Sequence, residues 1–363
     1  MRLPHRVLFV SGLLLLAILP VGGLLGGCGA LLGVDFDRVR VIEDGSAPDG
    51  VGVPGARDGS AAQDGEPGPA DGASPEGHAL DADTPPRPPK VVVFGGGSGT
   101  QTFGDTWEWD GAAWTKKVGL APSPAARSSH AMATLGGKVV LFGGLDETKQ
   151  PLDDTWEYDG LAWRKRVVPG PPARSGHAMT TLGTKVVLFG GVAGTTFYGD
   201  TWEWDGATWT KRSDTGPSAR NAASMATLEA KGVLVGGKDS ADRRLNDTWL
   251  WDGSWTLSPA KGPPVSSHAA MATLGSHAFH FGGADLVSET WAWDGSGWGM
   301  VAPGGPTLRV SHSMATLRGG IVLFGGTNGA PIGETWILDG TSWSQVSVLG
   351  PTARQNHASA TLF

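Results

Sequence analysis

Five arginines, Arg127, Arg174, Arg220, Arg309 and Arg354, recur along the chain, and four of them are followed three residues later by a histidine: His130, His177, His312 and His357. Ala223 replaces the histidine after Arg220; Val265 stands at the fourth of the six such positions, with His268 in rough register behind it. A guanidinium is a rigid fork of donors that matches a carboxylate, so arginines brought together would bind an anion. The same fork would serve equally well in ion pairs with acids of its own repeat, such as Asp105, Asp154, Asp200, Glu289 or Glu334. The histidines have no companions at metal-ligand spacing and read as buried, hydrogen-bonded side chains. Asp146, Glu147, Asp153 and Asp154 cluster without the oxygen spacing of a calcium loop, so no metal is expected. No Ser-His-Asp neighbourhood, phosphate loop or cysteine pair occurs, and no catalytic residue or cofactor is assigned.

These residues are carried by a unit repeated six times, seen plainly in KVVLFGGLDETKQPLDDTWEYDG from Lys138 to Gly160. Its glycine pairs, Gly95-Gly96, Gly143-Gly144, Gly190-Gly191, Gly236-Gly237, Gly282-Gly283 and Gly325-Gly326, are 48, 47, 46, 46 and 43 residues apart. A period this regular means an array of one supersecondary unit. An apolar run such as Val139 to Phe142 predicts a strand that stops at the glycine pair. Trp156 and Tyr158 alternate onto one face of a second strand, Asp159-Gly160 marks a tight hairpin, and Trp163 opens a third strand. Arg174 to Leu182 forms a fourth, leading into the next copy. No segment has a helical pattern.

Four-stranded units that cannot bury both faces alone stack radially, which predicts an all-β, six-bladed β-propeller over residues 90–363. The glycine pair, the later aromatic-Asp and the Trp beyond it resemble kelch repeats, within the galactose oxidase-like central domain superfamily. Lys90 to Phe94 has no Arg-x-x-His strand before it, whereas the chain ends on one, Arg354 to Leu362. That last strand is expected to complete the first blade, closing the ring and hiding its edges. All 16 Trp lie inside the repeats, as inter-blade packing requires.

Antiparallel strands sort the connections onto two faces. One carries short, uniform turns such as Gly136-Gly137 and Asp110-Gly111; the other carries the Pro-rich lead-ins to the arginines and the variable loops 97–104, 145–153 and 238–246. Variation on a fixed scaffold is where binding usually resides. In kelch propellers the arginine-bearing strand is nearest the axis, so the resemblance implies a ring of guanidiniums at this face, as in kelch domains that capture acidic peptides.

Ahead of the propeller, residues 1–27 have basic Arg2 and Arg6, an apolar stretch from Val7 to Leu19, and then Leu25-Gly26-Gly27-Cys28. This resembles a bacterial lipoprotein signal, with Cys28, the only cysteine, at the acylated position. Gly29 follows where that family uses Asp for inner-membrane retention, so the expectation is an outer-membrane lipoprotein. Residues 28–89 read as the acylated Cys and a disordered linker of ~45 Å average reach, with twelve acids against four Arg from Val34 to Pro89. The propeller has 22 basic and 23 acidic residues, which argues against nucleic acid as a partner.

Two functions are compatible with these features. One is a monomeric, lipid-anchored binding module whose loop face holds a protein or glycan partner, an anionic one if the guanidiniums are free to bind it. The alternative, implied by resemblance to the periplasmic sialate mutarotase, is an envelope enzyme acting on an anionic sugar; no clear acid or base accompanies the arginines. The kelch-type copper oxidases fit less well, because their cofactor needs a Tyr-Cys crosslink and the propeller has only Tyr158 and Tyr198 and no cysteine.

Overall fold

Blade geometry follows directly from the residue pattern of one copy. In the computed structural model, which describes residues 87–264, 266–284 and 288–363, Ala178–Leu182 turns at Gly183-Thr184 into Lys185–Phe189. Val186 to Phe189 are buried on both faces, which is why this strand is an unbroken apolar run rather than an alternating one. The run ends at Gly190 and Gly191, with φ of 72° and 102°. Thr201–Trp204 then returns, and Trp209–Ser213 forms the outer edge after a tight turn. The turn is held by Asp205, whose Oδ1 accepts the N–H groups of Ala207 and Thr208 at 2.8 and 2.7 Å.

Six such four-stranded sheets are formed. They are numbered blades I to VI by their second strands, Lys90–Phe94, Lys138–Phe142, Lys185–Phe189, Lys231–Val235, His277–Phe281 and Gly320–Phe324. Blade I takes its innermost strand, Ala358–Leu362, from the other end of the chain, in register from Lys90 opposite Leu362 to Phe94 opposite Ala358. The closure expected from the sequence is therefore present, and all six sheets lie within residues 87–363. The lipoprotein signal, Cys28 and the linker up to residue 86 lie outside the described residues.

Neighbouring blades are locked together by the first residue of each outer strand. Trp163 of blade II packs on Phe94 of blade I with ring centroids 5.3 Å apart, while its indole N–H donates to Thr106 Oγ1 at 3.0 Å. The same Trp-to-Thr bond runs from Trp209 to Thr155, Trp255 to Thr201, Trp298 to Thr248, Trp343 to Thr290, and Trp114 to Thr335, so it closes on itself around the molecule. An inner circuit repeats the device at the axis. The hydroxyls of Thr134, Thr181, Thr227, Thr273, Thr316 and Thr361 each donate to the carbonyl of the corresponding Thr in the preceding blade. These Trp and Thr side chains are thus paired across every blade boundary.

Candidate interaction face

The arginines are placed by the glycine pairs. Arg174 donates its backbone N–H to Leu152 and accepts from Gly144 N–H, both in blade II, while its guanidinium reaches into blade III. A Cβ on Gly143 would lie 2.7 Å from the Arg174 carbonyl, so only glycine lets the two backbones approach this closely. The guanidinium then donates to Asp200 Oδ1 at 2.6 Å, Asp200 Oδ2 at 3.1 Å and the Gly190 carbonyl at 2.9 Å. Arg127 holds Asp154, Arg220 holds Asp247 and Arg354 holds Asp105 in the same bidentate manner; Arg309 makes a single bond to the longer Glu334. Each of the five arginines is no more than 1 % exposed.

The expected ring of free guanidiniums is accordingly corrected. Arg127, Arg174, Arg220, Arg309 and Arg354 are buried ties, each hydrogen-bonded through its backbone to one blade and through its side chain to the next, because an acid at the start of the third strand comes within reach of every fork. Burial alone would raise the Asp200 pKa, but the hydrogen bonds and charge of Arg174 outweigh it and hold the carboxyl below its ordinary value; the same balance governs Asp105, Asp154 and Asp247. Asp247 is a partner the sequence reading missed, although it precedes Thr-Trp just as the other acids do. Glu289, expected to be another partner, accepts only the indole N–H of Trp291, at 3.1 Å, and no arginine is bonded to it among the described residues. The arginine's place in blade V belongs to Ser266 rather than Val265: its carbonyl accepts from Gly237 N–H as the Arg127 carbonyl does from Gly96. Ser266 Oγ lies 3.1 Å from His280 Nε2.

Beside the arginines runs a backbone ring. Ser129 N–H donates to Asn356, Gly176 to Ser129, Ala222 to Gly176, His268 to Ala222, Ser311 to His268, and Asn356 to Ser311, closing after one residue from each blade. All six residues adopt a left-handed conformation, with φ between 53° and 63°. His268 therefore corresponds to Ser129, not to the histidines, and Ala269 fills the histidine position of blade V as Ala223 does in blade IV.

His130, His177, His312 and His357 stack edge-on against Phe94, Phe142, Phe281 and Phe324. His357 Nε2 reaches the Phe324 carbonyl at 3.1 Å, whereas both ring nitrogens of the other three lack a hydrogen bond of ordinary geometry among the described residues. Burial, reinforced by the adjacent arginines, lowers all four pKa values, to about 3 for His177 and His357. These imidazoles are neutral at physiological pH.

A polar chamber of about 330 Å³ opens on the axis at this end, lined by the backbone-ring residues, the histidines and, on one side, Ala223 and Ala269. An apolar chamber of about 400 Å³, lined by Met132, Met179, Met225, Met271 and Met314, occupies the other end. Around the polar mouth the loops differ from blade to blade. Asp146 Oδ1 gathers the N–H groups of Thr148 and Gln150 in blade II, blade III forms a small hairpin of Val192–Ala193 and Thr196–Phe197, and Asp239 ties Ala241 and Arg243 in blade IV. Among the described residues no group of His, Cys, Asp and Glu side chains is arranged to hold a metal ion.

A family model described as the KLHDC2/KLHL20/DRC7 Kelch-repeats domain matches residues 87–283. No curated protein matches the chain.

Proposed function

The chain belongs to the kelch-repeat family, and from that premise we propose that it is a non-catalytic interaction module, held at the outer membrane by a lipid on Cys28, whose variable loop face grips a protein or glycan partner. The observation that carries this reading is the contrast between scaffold and loops. Three closed circuits of hydrogen bonds fix the blades, the recurrent arginines are taken up by buried ion pairs and the recurrent histidines by buried contacts with phenylalanines, so sequence freedom is left to loops such as 145–153 and 238–246. Rigid scaffolds with variable loops are suited to specific recognition. The alternative, an enzyme acting on an anionic sugar, relied on free guanidiniums; with these in buried ion pairs, the loop face offers it no support.

Replacing 145–153 by a Gly/Ser loop of equal length tests the binding reading. The expected result is loss of the partners retained from envelope extract while the melting temperature is kept; retention of every partner would overturn it. Fatty-acid labelling of the whole chain and of Cys28→Ser tests the anchor separately, with label expected on the former only.

A further inference from the structure

The outer edges of the propeller are electrostatically two-sided. In blades I to III the outermost strands read WTKK, WRKR and WTKRS, whereas those of blades IV to VI, WTL, WGMVAP and WSQV, carry no charge. The third strand changes with them: Glu108, Glu157 and Glu203 in blades I to III give way to Leu250, Ala292 and Ile337 at the same register.

The carboxylates offset the cations only in part: Lys211 lies 2.5 Å from Asp214, Arg164 3.5 Å from Asp159 and Lys138 3.3 Å from Glu157. Glu108 is shared by Lys90 and Lys117, and Glu203 by Lys185 and Arg212. Lys116 lies over the Trp107 ring and 3.8 Å from Asp105, a carboxylate already bound bidentately by Arg354, and Lys165 lies over the Trp156 ring. The edge is continuous between blades II and III, since Arg166 donates to the Gly206 carbonyl at 3.1 Å. Exposed aliphatic side chains stand beside the charge, Val118 at 80 %, Leu161 at 66 % and Val167 at 89 %; blades IV to VI expose Leu257, Met300 and Leu349 as well, so it is the charge that distinguishes the two sides. Lysines on an edge strand can simply prevent strand pairing, but that need is equal in blades IV to VI, whose edge strands carry no lysine.

We propose that the lateral edge of blades I to III docks on an anionic phospholipid surface, the basic residues meeting the headgroups and the exposed aliphatics entering the interface. Charge attraction combined with shallow apolar burial is how peripheral proteins hold such surfaces, and a basic patch is the usual second signal beside a lipid anchor. The proposal relies on the lipid-anchor reading only for the nearness of a membrane.

The test uses residues 87–363, which contain every strand of the closed ring, so no acyl group takes part and failure of the anchor reading, measured by labelling at Cys28, stays distinguishable. Flotation is measured with phosphatidylcholine vesicles with and without phosphatidylglycerol. Binding is expected to the anionic vesicles only, and to be lost at high salt. Replacing Lys116, Lys165 and Lys211 together by Ala is expected to reduce partitioning on the order of a hundredfold, about fivefold for each charge, with the melting temperature retained. Equal binding by the triple variant, equal binding to neutral vesicles, or binding to a soluble anionic polysaccharide without binding to vesicles would each overturn the proposal.

Discussion

Arg174 and Asp200 meet in a bidentate pair at 2.6 and 3.1 Å, with the arginine fully buried and stacked 4.0 Å from the Tyr198 ring centroid. Twenty-six residues separate them in the chain, yet the pair joins the lead-in of one strand to the start of another two positions away in the same sheet. Arg174→Ala strands the Asp200 carboxylate, and the expected loss is about 3–5 kcal/mol of folding stability, measured by denaturant unfolding. Removing Asp200 as well should recover part of that loss. Unchanged stability in Arg174→Ala would mean the pair is not a structural tie.

Glycine is required at the blade junction for two separable reasons. Gly143 and Gly183 both have φ near 60°, but a Cβ at Gly183 meets nothing within 4 Å, whereas at Gly143 it lies 2.7 Å from the Arg174 carbonyl. Gly183→Ala is expected to cost only the left-handed strain of ~1–2 kcal/mol. Gly143→Ala should cost at least ~2 kcal/mol more, because backbone must shift. Thermal unfolding of the two variants checks the difference; equal costs would refute the close-approach argument.

The buried histidines predict acid sensitivity with a definite sign. Burial holds the His177 pKa at about 3 against an ordinary 6.5, so the folded state stays neutral while the unfolded chain takes up a proton. Stability contributed above pH 6.5 is therefore lost as pH falls from 6.5 toward 3, by up to about 1.4 kcal/mol per pH unit. His177→Ala, which copies Ala223 of blade IV, should flatten the slope measured between pH 6.5 and ~4.5, before the lowered carboxylates titrate. An unaltered slope would count against the neutral, buried imidazole.

Ring closure depends on the last strand. Deleting Arg354–Phe363 removes the inner strand of blade I, the Arg354–Asp105 pair and one member of both axial circuits. The expected product exposes an unpaired strand edge and aggregates, as light scattering would show. A monodisperse monomer with the parent's melting curve would mean that the ring does not need this strand.

Repeat number, strand order, the hairpins and the closing strand were all legible in the sequence, because glycine pairs, Asp-Gly turns and apolar runs act locally and recur with a fixed period. Recurrence also marked Arg174 and His177 as important. It could not say whether a guanidinium faces solvent or a carboxylate, since the answer lies in Asp200, which only the folded sheet brings to it. The exchange of Val265 for Ser266 has a similar origin: lead-in loops vary in length, and the true register is set by two hydrogen bonds with the preceding blade, from Gly237 N–H to the Ser266 carbonyl and from His268 N–H to the Ala222 carbonyl. The circuits of Thr181 and Trp209 were written in the repeat as constant Thr and Trp, but their closure is a property of six blades placed around an axis. The chain alone determined what is repeated; the tertiary structure decided which repeated groups satisfy one another, because burial and hydrogen bonding are settled between blades rather than within them.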